Sequence, residues 1–233
     1  MTENKSDGVT QIQDLNSFAF SNGWVHMQFV CDKTGFPLVV ANGLTLSLLP
    51  VTKLQFERFL SEPLGLSSIW YQQVLALNPR RTVRTVVNSE RERLFITGVT
   101  FQEAGDFANW LHPHGRLPQQ AEWQNFAVGL KQTVFSRIVE KQLLSCGMSE
   151  AATAVLKRLI GFIKPANMAE LALIRGGLLE WVSHRQGYGG LGAPRPAFFS
   201  NTFDPYHDQP MKHFADERSP FYGLRVLVGE ETF

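Results

Sequence analysis

Cysteine is nearly absent: Cys31 and Cys146 are the only two in 233 residues. Neither lies in a spaced Cys/His pattern, so no zinc or dithiol redox motif is visible. Two cysteines in so long a chain read as buried thiols, with a disulfide between them left open. Net charge is also lacking. Lys and Arg number 22 and Asp and Glu 21, a balance of +1, which gives no electrostatic footprint for nucleic acid or for an anionic membrane surface. No apolar run approaches the roughly 20 residues of a membrane-spanning helix. The polar stretch MTENKSDGVTQIQDLN has no apolar signal-peptide core, and a soluble cytoplasmic protein is expected. Its first residues offer little apolar surface, so 1–15 is expected to be a disordered tail and 16–233 a single domain.

Hydrophobic residues make up 44% of the chain, enough for one sizeable core. Between residues 18 and 49, apolar runs such as Leu38-Val39-Val40 are punctuated by Asp32-Lys33-Thr34-Gly35 and Asn42-Gly43. Short strands joined by hairpins are the reading. Thr52 with Gln55, and Thr100 with Glu103, have capping-box spacing and start two helices. The second helix puts Ala104, Phe107, Ala108 and Leu111 on one face. Between residues 130 and 164, Val155, Leu156, Leu159, Ile160 and Ile163 form a stripe at helical spacing. Ser149 starts that helix, Pro165 ends it, and Gly147 separates it from a shorter helix around Phe135, Ile138 and Val139. This segment reads as a helical hairpin, as core cover before a docking surface. From Gly187 the chain turns glycine-rich and irregular, and strand sequence returns at Leu224 to Val228. Aromatic content argues for a binding loop there rather than disorder.

Four blocks in order resemble the formylglycine-generating-enzyme-like (sulfatase-modifying factor) family. They are Leu49 to Phe59, Gly98 to Ala127 (GVTFQEAGDFANWLHPHGRLPQQAEWQNFA), Gly176 to Ser183 (GGLLEWVS) and Tyr222 to Val226 (YGLRV). The resemblance implies an α+β domain of C-type-lectin-like type, with a twisted, mostly antiparallel sheet interrupted by the helical insert at about 130–164. It also implies that Trp123 and Trp181 are core residues. The sulfatase-modifying members of that family oxidise a cysteine through a copper-bound cysteine pair, which lies between the W-E-W and G-F-R blocks. The matching interval here, Ser183 to Tyr222, contains no cysteine. A soft redox-active copper site needs thiolates, so formylglycine-generating activity is not expected. Another branch takes histidine ligands for iron from a fused helical domain. Only His26 stands N-terminal to the shared fold.

Family members often bind calcium beside the W-E-W block. Asn167 and Glu180 match two of the resemblance's positions, whereas Leu173 stands at the usual Asp and Gly177 at the usual Asn. Calcium wants six to eight oxygen ligands, so a structural role for Glu180 is the preferred reading and no other cofactor is implied. His112-Pro113-His114 reads as a solvated loop, with no third metal ligand identifiable. The expectation is a catalytically inactive binding or adaptor module that recognises another protein or a ligand. Its contacts are placed on the C-terminal loop at Arg195, Tyr206, His207, Arg218 and Tyr222. Two rivals stand beside it: an enzyme without a cysteine mechanism, using Arg195, His207, Asp208 or Arg218, and a regulatory subunit docking through the insert.

Overall fold

A computed structural model of the chain describes residues 27–41, 43–61, 94–172, 178–183, 195–198, 218 and 222–229. The expected tail at 1–15 and the glycine-rich stretch after Gly187 lie outside them. Three strands open the fold: β1 (Met27–Cys31), β2 (Pro37–Ala41) and β3 (Leu44–Ser47). Their antiparallel hairpins fall where the turn signals stand, with Val39 opposite Phe29 on one side and Leu46 on the other. Gly35 and Gly43 supply the positive φ, +81° and +77°, that both turns need.

Helix α1 (Lys53–Ser61) follows, then α2 (Phe101–Leu111). Both capping boxes form. The Gln55 backbone N–H donates to Thr52 Oγ1 at 3.2 Å, and Gln55 Oε1 in return accepts from the Thr52 backbone N–H at 2.9 Å. The Glu103 carboxylate accepts from the Thr100 backbone at 2.9 Å. After the short β4 (Gly115–Arg116) comes α3 (Gln120–Gln132), then α4 (Arg137–Leu144), α5 (Glu150–Ile163) and α6 (Met168–Leu171). The expected helical hairpin is therefore α4 with α5. Ser149 caps α5, and Lys164 closes it in the left-handed region, immediately before Pro165. The insert starts later than residue 130, because α3 carries on to Gln132.

Last come β5 (Leu179–Val182), β6 (Arg195–Phe198), β7 (Tyr222–Leu224) and β8 (Leu227–Val228). The larger sheet has the order β1-β2-β3-β8-β4, antiparallel throughout. A second sheet has the order β6-β5-β7, with β7 parallel to β5. The architecture is thus α+β, as expected, with the strands of the described residues in two sheets. β6 corrects the reading of residues 187–223 as irregular. Pro196 hid it. A proline lacks a ladder donor and is confined to sheet edges, and β6 is an edge strand.

Two apolar clusters hold the fold. One packs the larger sheet, through Val39 and Leu46, against Trp123, Leu130 and Met168. Val139 and Leu143 of α4 and Leu156 and Leu159 of α5 belong to it, so the insert covers core. Ile138, which helped to signal α4, is exposed. The other cluster packs Phe56 and Phe59 of α1 and Phe107 and Leu111 of α2 against Trp181, Tyr222 and Leu224.

The insert is also docked by backbone. Ser149 N–H donates to the Gly35 carbonyl at 3.1 Å. A Cβ on Gly35 would lie 2.5 Å from Ser149 Cβ and 2.7 Å from its backbone nitrogen. Gly35→Ala therefore combines left-handed strain with a clash, and a loss of about 2–4 kcal/mol is expected. Urea unfolding checks it; an unchanged midpoint would mean that the insert yields freely.

Candidate functional site

Side chains alternate along a strand, and β5 uses both faces. Trp181 enters the α1–α2 cluster, while Val182 enters the other. Glu180 shares the Val182 face and is 1% exposed. There its Oε2 accepts from Trp123 Nε1 at 2.7 Å and from Arg225 Nε at 2.9 Å. Arg225 is wholly buried. Its Nη1 donates to the Ser47 carbonyl at 3.2 Å and to the Leu48 carbonyl, and its Nη2 donates to the Ala172 carbonyl at 2.6 Å. The guanidinium carbon also stands 5.2 Å from the Trp123 ring centre, within cation–π range. Burial pushes the Glu180 carboxyl up and the Arg225 guanidinium down. Each one's opposite charge works against the other's shift, and the Trp123 hydrogen bond also favours the carboxylate. One ion pair thus ties β5, α3, the end of β3, the end of α6 and the segment between β7 and β8.

That geometry bears on the two calcium candidates. A cation on Glu180 would compete with Arg225 for the same oxygens. Asn167 caps α6, its Oδ1 accepting from Glu170 N–H at 3.0 Å. Both candidates thus have partners within the fold, Glu180 with Arg225 and Trp123 and Asn167 with Glu170. Among the described residues, no group of three or more His, Cys, Asp or Glu is placed to hold a metal ion. His112 accepts on Nδ1 from His114 N–H at 3.0 Å, a local loop contact.

On the opposite face of β5, Trp181 Nε1 donates to the Val99 carbonyl at 2.8 Å. The Tyr222 ring meets Trp181 edge-on, with centres 5.1 Å apart. Tyr222 was expected at the surface for its polar tip, yet it is 3% exposed. Its ring packs edge-on against Trp181 within the α1–α2 cluster. Arg218 was also expected outward. It is instead half-buried and paired with Glu103, with Nη1 at 2.8 Å from Oε2 and also from the Gly98 carbonyl. Glu103 is the capping residue of α2, so Arg218 fastens the C-terminal segment to that helix start.

Arg195 lies on β6, where only its backbone is described. Tyr206, His207 and Asp208 lie outside the described residues. The structure therefore brings together Glu180, Trp123 and Arg225 at one centre, and Trp181, Tyr222 and the Arg218–Glu103 pair behind it. Arg225 carried no role in the sequence reading. An arginine inside the otherwise apolar run Leu224 to Val228 is the signal that a buried carboxylate awaited it.

A family model described as the sulfatase-modifying factor enzyme 1-like domain matches residues 23–185, well over half of the chain. No curated protein matches the chain. The matched region contains Trp123, Trp181 and Glu180, and Arg225 joins them from beyond it.

Proposed function

Because the chain belongs to the family of sulfatase-modifying factor enzyme 1-like domains, we propose that it uses a C-type-lectin-like scaffold of that family as a catalytically inactive binding or adaptor module for another protein, in the cytoplasm. One observation carries this reading. The interval Ser183 to Tyr222, where the resemblance puts the copper-binding cysteines, has no cysteine. Copper(I) redox chemistry calls for soft thiolate ligands. The two cysteines the chain does have stand at the end of β1 and just after α4.

The binding face in this reading is the segment 185–222, which includes the edge strand β6. Arg195, Tyr206 and His207 are its contacting side chains, since arginine and tyrosine are frequent energetic anchors of interfaces. Arg218 and Tyr222 belong to the same set but act from inside, holding the ends of that stretch on α2 and Trp181.

Incubation of the purified chain with copper, oxygen and a cysteine-containing sulfatase-type peptide should give no conversion of the cysteine to an aldehyde. A peptide mass showing cysteine converted to aldehyde would overturn the inactive reading. For the face itself, a Tyr206→Ala/His207→Ala variant should lose its protein partner in pull-down and keep the wild-type melting temperature. Retained capture by that variant would remove the face from the proposal.

A further inference from the structure

Cys31 and Cys146 are 115 residues apart in sequence, yet their sulfurs stand 3.4 Å from each other. Cys31 ends β1, the edge strand of the larger sheet, and Cys146 lies in the turn between α4 and α5. The backbone around them is already in register, through the Ser149 N–H on the Gly35 carbonyl. We propose that Cys31 and Cys146 form a thiol-oxidation site, which exchanges with a low-molecular-weight disulfide of the glutathione type and closes an intramolecular disulfide fastening the helical insert to the sheet edge.

The geometry permits closure. The sulfurs must approach from 3.4 Å to about 2.05 Å. The moving side is the turn after α4. There Gly147 adopts a φ of +87° and nothing lies within 4 Å of where its Cβ would be, so the turn has open space beside Cys146.

The roles of the two thiols differ. Cys31 Sγ donates to the Cys146 carbonyl at 3.3 Å. Burial pushes the Cys31 thiol up to about 12, and the hydrogen bond and charge of Cys146 and the charge of Asp32 add to the rise. Cys31 therefore keeps its proton near neutrality. Cys146 lines a cavity of about 200 Å³ between β1 and α4, with Met27, Phe29, Gln142 and Ser145. It is the thiol that a small molecule reaches first.

As thiolate, Cys146 Sγ attacks one sulfur of the small disulfide. That S–S bond breaks, a mixed disulfide forms, and the first small thiolate leaves and is protonated. In the mixed disulfide, Cys146 no longer carries the thiolate charge that helped to hold Cys31 protonated. Cys31 Sγ then attacks Cys146 Sγ, the Cys146–S bond to the small molecule breaks, and the proton of Cys31 ends on the second small thiolate as it leaves. Two protein thiols are oxidised by two electrons, and one small disulfide is reduced to two thiols.

The test uses the full chain with oxidised glutathione at neutral pH, followed by alkylation, intact mass and peptide mapping. The wild type should show a Cys31–Cys146 linked peptide, a mass lower by two hydrogens, and no retained glutathione. Its melting temperature should rise by roughly 5–15 °C over the reduced form and return with dithiothreitol. Cys31→Ser should stop at a glutathione adduct on Cys146. Persistent adducts, cross-linked dimers or unreacted thiols in the wild type would each overturn the proposal, and none of these readings depends on a variant folding. A linked peptide with no rise in melting temperature would overturn the fastening role.

Discussion

An Arg225→Met variant that retains Glu180 should lose about 3–5 kcal/mol of stability. The substitution keeps an unbranched apolar stem but removes the cation paired with a carboxylate that is 1% exposed. Trp123 Nε1 would remain as a donor to it, too little to compensate a buried charge. The Ser47, Leu48 and Ala172 carbonyls would lose the guanidinium as well. Adding Glu180→Met should recover part of the loss, because no charge is then stranded. Recovery stays partial, since those carbonyls and the Trp123 N–H are still without these partners. Guanidinium unfolding of the two variants decides the matter. A single variant with the wild-type midpoint, or a double variant worse than the single, would mean that the pair does not hold the fold as its geometry indicates.

Trp181→Ala should cost a similar amount, about 3–5 kcal/mol. The indole is fully buried and packs on Tyr222 and Phe101. Its removal leaves a large void beside α2 and strands the Val99 carbonyl that Nε1 now reaches. Trp181→Phe keeps a ring but loses that donor, and should fall between wild type and alanine. The ordering of the three midpoints in urea is the check. An alanine variant as stable as wild type, but deficient in partner binding, would recast Trp181 as a contact residue.

Much of the local structure was legible because its cause is local. Thr100 and Glu103 are three residues apart and cap each other. Ser149, Gly147 and Pro165 mark the insert by backbone preference, and Leu156 and Leu159 mark its buried side by spacing. The site depended on distant partners. Arg225 answers Glu180 across 45 residues, and Arg218 answers Glu103 across 115. A single sequence shows the charge but not its counterpart, so a paired arginine reads as a surface one. Tyr222 misled for a different reason: a tyrosine has one wet end and one oily face, and packing against Trp181 decided between them. For the cysteines, sequence left both a thiol pair and a disulfide open, and only the fold shows that they meet.

The short β8 has a bearing on how the chain reaches this state. Its two residues sit between β3 and β4, with Leu227 opposite both Leu46 and Arg116. The neighbouring Ser47–Val226 hydrogen bond spans 179 residues of sequence. The β1–β2–β3 hairpins need only local closure and can form early. The seam joining them to β4 has to wait for a contact of very high order, which is slow to form because the loop entropy is lost before the pairing is gained. Until then β3 and β4 present open edges, and those edges are where a folding chain of this kind is most exposed to pairing with the wrong strand.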